Sequence, residues 1–124
     1  MRGKKIALVA ATVVALVAGS TFAGSSAQAA GKQKTIGVAV ADQKSLFYIA
    51  AVDGMKKAAK ANNVKLIVLS ADNDANKQVG QVNSLLTQNI DALVFIAQDA
   101  TAAAAGVKAA NKAKVPVIAV DEKP

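Results

Sequence analysis

Four short apolar runs set at nearly even intervals constrain this chain more than any other feature. They are Ile36–Ala41 (IGVAVA), Val64–Leu69 (VKLIVL), Ala92–Ala97 (ALVFIA) and Val115–Val120 (VPVIAV), and their starts fall 28, 28 and 23 residues apart. That interval is the length of a β-strand plus a crossover helix. Runs that are apolar on both faces suit strands buried inside a parallel sheet. The stretches between them read as helices. Ser45 is placed to cap Leu46–Asn62, with Ile49, Val52, Met55 and Ala59 on one stripe and Asn62-Asn63 as the stop. Asp74 is placed to cap Ala75–Gln88, whose inward face is Val79, Val82, Leu85 and Leu86. Asp99 is placed to cap the alanine-rich Ala100–Lys112, with Ala103, Val107 and Ala110 turned to the sheet. Pro116 falls at the start of the fourth strand, where a missing N–H costs least. With right-handed crossovers this chain builds an α/β fold with a doubly wound parallel sheet, strand order 2-1-3-4.

Residues 1–29 have a different pattern and read as a signal peptide. Arg2, Lys4 and Lys5 precede the apolar run Ile6–Ala18, in which Thr12 is the one polar residue, and Ala27-Gln28-Ala29 is an Ala-x-Ala cleavage pattern. The run is short for a membrane span, which needs roughly 20 residues. No cysteine stands near the cleavage site to carry a lipid, so the expectation is a soluble chain exported to the periplasm or envelope exterior and cut before Ala30. Removing the signal lowers the 15 basic residues to 12, against 8 acids, so the mature net charge is +4 and not +7.

Several function classes are disfavoured by what remains. Phe47, Tyr48 and Phe95 are the only mature aromatics, too few to interleave with a basic strip as nucleic-acid platforms require. There is no histidine and no cysteine, hence no disulfide, no thiolate metal site and no nucleophile–base pair. After the first strand, Ala41-Asp42-Gln43-Lys44-Ser45 lacks the glycines of a dinucleotide loop. Asp42 and Asp99 imitate a phosphoryl-accepting receiver only weakly, and an exported chain meets no cytoplasmic phosphodonor. Asp72-Asn73-Asp74-Ala75-Asn76 starts like a calcium loop, but Lys77 stands where glycine is needed and Asn83 where glutamate is needed, so turn and cap duty is the reading. No enzymatic activity, cofactor or metal is expected.

In an open α/β sheet, ligands bind beyond the carboxyl ends of the strands, where the strand order reverses. Here that crevice lies between strands one and three, flanked by Asp42–Tyr48, Ala97–Thr101 and Asp121-Glu122. Aromatic faces beside carboxylates and a hydroxyl suit sugars, which present C–H faces and hydroxyl edges. From the residues alone, Phe47 and Tyr48 serve equally as a ligand platform or as core packing at a helix start. Asp121 serves equally as a ligand contact or a turn former, and Asp99 suits a helix cap better than a ligand contact.

Lys34–Lys123 resembles the N-terminal lobe of ribose-type periplasmic sugar-binding proteins, the solute receptors of ABC importers. Lactose-repressor-type effector domains share that fold. The matching stretches are Leu46-Phe47-Tyr48 with Asp53-Gly54, the segment 70–78 (SADNDANKQ), the segment 88–94 (QNIDALV), and 115–121 (VPVIAVD). The resemblance implies a type I binding-protein lobe over residues 30–124, truncated before the second lobe. It implies that Phe47 and Tyr48 occupy the positions of two consecutive aromatics that sandwich the sugar. Ser45 stands at a polar contact position usually held by Asn, and Asp121 at the carboxylate that binds sugar hydroxyls. Glu122 replaces an arginine and Ile96 an asparagine of the ribose receptors, so the implied ligand is a sugar, polyol or related small solute and not ribose in particular. The implied partners are that solute and an ABC permease, with a monomeric receptor. A repressor-type effector domain, or a truncated product that binds nothing, is the alternative; the apolar signal segment where a helix-turn-helix would stand favours the receptor.

Overall fold

The computed structural model describes residues 31–120; the signal segment, Ala30, Asp121 and Glu122 lie outside the described residues. Within them the chain runs β1 (Thr35–Val40), α1 (Leu46–Ala61), β2 (Lys65–Ser70), α2 (Ala75–Thr87), β3 (Ala92–Ile96), α3 (Ala100–Lys112) and β4 (Val117–Ala119). All strand pairs are parallel, and the sheet order is β2-β1-β3-β4. The expected elements and their order are therefore present, with strand boundaries displaced by one or two residues. Among the described residues no helix is long and apolar enough to cross a membrane.

The strands alternate their side chains between two helical layers. Ala39, Leu93, Phe95 and Ala97 meet Val82 and Leu85 of α2 and Ala103 and Ala110 of α3. On the other face Val38, Val40 and Ile96 meet Val52 of α1, with Tyr48, Ala51 and Met55 packed around them. Two glycines permit the close approach on the α2/α3 side. A Cβ at Gly106 would overlap the Phe95 ring, and one at Gly37 would stand 2.8 Å from Ile90 Cδ1.

The α1 stripe keeps Val52, Met55 and Ala59 as expected, with Tyr48 in place of Ile49. Ile49 is 40% exposed, whereas Tyr48, Val52, Met55 and Ala59 face the sheet. The caps divide likewise. Asp74 Oδ1 accepts from Lys77 N at 2.9 Å and Asp99 Oδ1 from Ala102 N at 2.7 Å, as expected. Ser45 occupies the cap position of α1 without a side-chain cap bond, contrary to expectation. Each helix then exits through a left-handed residue, Asn63, Asn89 or Lys114, the conformation that ends helices.

One charged staple aligns the amino ends of the strands. Asp91 accepts from Thr35 N (2.8 Å) and from Lys34 Nζ (2.8 Å), while Asp91 N donates to Thr35 O (2.7 Å). The Lys34 hydrogen bond first, then the Thr35 amide, holds the Asp91 carboxyl below its ordinary range.

Candidate functional site

β1 lies between β2 and β3, so the chain winds away from it in both directions, and the register puts Val40 level with Ile96. The loops leaving β1 and β3 therefore diverge from neighbouring strand ends, which opens the crevice at the carboxyl edge.

The first wall is built around Asp42. Its carboxylate is buried and accepts from Lys44 N (2.7 Å) through Oδ1 and from Ser45 N (3.3 Å) through Oδ2. That turn delivers the chain into α1 at Leu46. The Ser45 side chain stays exposed. Phe47 is 53% exposed, whereas Tyr48 is half-buried against the Val38–Val40–Ile96 cluster. Their ring centroids are 5.1 Å apart with planes at 76°, an edge-to-face pair. The rings touch one another, so they form a single platform with Phe47 presented to solvent. Of the two roles that the residues left open, Tyr48 shows core packing, with its ring against that of Phe47.

Leu46, 84% exposed, stands beside this platform and escaped sequence reasoning, because an apolar residue beginning a helix reads as core.

The second wall is the β3–α3 loop. Ala97 is buried, Gln98 half-buried and Asp99 exposed, with the Asp99 carboxylate engaged as the α3 cap. Ile96 is fully buried in the α1-side cluster and contributes no polar group to the crevice. Val120 N donates to Phe95 O at 3.0 Å, and the two acids expected to follow it, Asp121 and Glu122, lie outside the described residues.

Behind the walls stands α2. Gln78 is fully buried: its Nε2 donates to Ile96 O (2.9 Å) and its Oε1 accepts from Gln98 N (2.7 Å). Gln81 Nε2 donates to Ser70 O at 2.8 Å. The signal for Gln78 was a glutamine at i, i+4, i+7 spacing with Val82 and Leu85, a polar residue on an apolar stripe. Asp72, at the end of β2, pairs with Lys77; that hydrogen bond and charge, helped by Ser70 and Lys44, hold its carboxyl below the ordinary range. Among the described residues no three acidic side chains gather where they could hold a metal ion.

A cavity of about 290 Å³ lies towards the amino ends of the strands, between α1 and the sheet, lined by Ile36, Met55, Ala58, Ala59, Asn62, Val64, Leu66 and Val94. Asn62 is the only polar side chain in it. A polar solute needs converging donors and acceptors, so the open crevice at the carboxyl edge is the better candidate despite its lack of enclosure.

Residues 36–124 match the periplasmic binding protein domain. The chain belongs to that family. Its sequence is 36% identical over 90 residues to a ribose import binding protein of Bacillus subtilis, covering 73% of this chain and 30% of that protein. It is 38% identical over 116 residues to a xylitol-binding protein of Mycolicibacterium smegmatis, covering 93% and 32% respectively. Among solved structures, an ABC transporter solute-binding protein from Mycobacterium smegmatis with bound glycerol superposes with a TM-score of 0.70 at 33% identity, over 73% of this chain and 32% of that one. One from Bacillus halodurans with bound myo-inositol gives 0.67 at 32% identity, with the same coverage. The chain thus spans about a third of the length of these periplasmic binding proteins, and its sheet is that of their first lobe.

Proposed function

We propose that this chain is the first-lobe portion of an exported solute receptor for an ABC importer, which takes a sugar or small polyol between two lobes. The observation that carries the reading is the solvent-facing Phe47, propped edge-to-face by Tyr48 at the point where strand order reverses. The family match and the ribose, xylitol, glycerol and myo-inositol in the names of relatives support it.

In this reading Phe47 lies against the C–H face of the ligand, and the opposing plate comes from the second lobe. Ser45, Asp121 and Glu122 supply polar contacts, with the carboxylates accepting charge-assisted hydrogen bonds from hydroxyls. The receptor acts by closure of the lobes and not by catalysis, and the closed form is what the permease reads. Residues 1–29 are the export signal, removed before Ala30, and the mature receptor is a monomer without affinity for nucleic acid.

The test is calorimetry on the full-length secreted protein with ribose, xylitol and myo-inositol. The expected result is micromolar or tighter binding of at least one of them, weakened about tenfold or more, 1.4 kcal/mol, by Phe47→Ala. Unchanged affinity in that variant, or no binding of any sugar or polyol, overturns the reading.

A further inference from the structure

The first two turns of α2 make hydrogen bonds that helices rarely make to a sheet. Gln78 and Gln81, three residues apart on one side of the helix, reach the carbonyls at the carboxyl ends of β3 and β2. The turn before α2 is tied to β1 as well, through Ala71 N to Val40 O (3.0 Å) and Asn73 N to Ala41 O (2.9 Å). The start of α2 is thereby bonded to all three strand ends at the crevice. Gln78 differs from the rest of this bracket because its own two polar atoms are both engaged across a loop.

Ile96 O can only accept and Gln98 N can only donate. The amide orientation of Gln78 is therefore fixed by its partners, and no apolar side chain of similar size can replace both bonds. Burial makes the arrangement consequential, since removing one partner leaves the other unsatisfied away from water. A fully buried glutamine on an otherwise apolar stripe also costs more than a leucine there unless both bonds form.

We propose that Gln78 is the positioning residue of the crevice. It holds Ile96 and Gln98 on either side of Ala97, so the β3–α3 loop leaves the sheet at one fixed angle and the second wall stands opposite Phe47. This rests on the reading of the crevice as the solute site, and it adds a residue that would touch no ligand.

The test uses the full-length protein and three variants: Gln78→Met, Gln78→Glu and Val82→Ala. Val82 is fully buried on the same helix but bonds to no loop, so it reports what loss of packing alone does. Amide hydrogen exchange is followed at Gln98 and, as a reference, at Leu93 and Phe95 within β3. Binding of xylitol and ribose is measured alongside. Gln78→Met is expected to speed exchange at Gln98 about tenfold relative to Leu93 and Phe95, the size of one lost hydrogen bond. It is also expected to weaken solute binding by a similar factor. A carboxyl buried at this position takes up a proton, and the neutral acid can donate its O–H to Ile96 O and accept from Gln98 N, so Gln78→Glu should approach the wild type as the pH is lowered whereas Gln78→Met should not. Val82→Ala should speed all these amides together.

The inference is overturned if Gln98 exchange rises no more than that of β3, or if Val82→Ala reproduces the selective effect. It is also overturned if solute binding survives a loosened loop unchanged. Failure of the wild-type protein to bind any solute sinks the functional reading instead, and the exchange pattern still decides whether Gln78 fixes the loop.

Discussion

The two faces of the sheet are built to different standards. The α2/α3 face is closed by two helices, with Phe95, Leu85, Leu93 and Val82 fully buried and a glycine in α3 giving the Phe95 ring its place. Among the described residues the α1 face has one helix across four strands. It keeps an apolar cavity of about 290 Å³ beneath α1 and leaves Ile118 of β4 56% exposed. Close packing on the first face makes every volume change felt, whereas the second has space to absorb one. The crevice draws on both. Its β3–α3 wall is held from the tight side by Gln78, and its aromatic platform grows from the start of the looser α1.

The sharpest way to break this comparison is to remove a large side chain from each face. Phe95→Ala should cost about 3–5 kcal/mol in urea unfolding, a large share of the stability of a domain of this size. Ile118→Ala should cost under about 1 kcal/mol, because half of that side chain is already in water. Comparable losses at the two positions would show that the α1 face is as tightly closed as the other.

A smaller effect comes from adding one methyl group to a helix. Gly106→Ala should destabilise by roughly 1–3 kcal/mol, since the new Cβ overlaps Phe95 in a packed layer. Gly54→Ala in α1 meets nothing within 4 Å and should stabilise by about 0.5–1 kcal/mol through helix propensity. The same chemical change thus carries opposite signs, readable as opposite shifts in thermal midpoint. Equal signs would mean that the ring at Phe95 moves aside freely.

The smallest effect concerns the staple at the amino ends of the strands. The native Asp91 carboxyl titrates below its ordinary value, so the native state binds fewer protons there than the unfolded chain. Its contribution is present above the ordinary carboxylate range, near pH 4, and is lost as pH falls through the lower native value. Asp91→Asn should lower the thermal midpoint at pH 7 by less than the substitutions above. It should match the wild type once the pH is below the native value. An identical pH slope in the two proteins would show that Lys34 and Thr35 contribute nothing through this carboxyl. Surface ion pairs screened by solvent are commonly that weak.

Much of the fold was legible because spacing and polarity act locally. A run of β-branched residues every 23 to 28 positions leaves few alternatives to a crossover-linked parallel sheet. Asp74 and Asp99 cap their helices as local chemistry dictates. Ser45 stands at the cap position without a side-chain cap bond, while its own amide donates to Asp42 three residues upstream. Phe47 and Tyr48 were recognisable as a pair, but their separate roles were not. Which ring meets water depends on the rotation of α1 over the sheet, and moving the buried stripe from Ile49 to Tyr48 is a decision made by the strands beneath.

By itself the sequence determined the strand–helix alternation and with it a crossover-linked parallel sheet, since these follow from local periodicity, and the expected order 2-1-3-4 is the one the sheet has. Only the tertiary structure decided that Tyr48 turns inward while Phe47 faces water, and that Ile96 is sealed in a core. It alone also decided that Gln78 engages both of its polar atoms, one at the end of β3 and one in the loop that follows, eighteen and twenty residues away. Each of these depends on what lies opposite a side chain across the fold, and burial enforces the pairing because an unmatched polar atom there has no water to turn to.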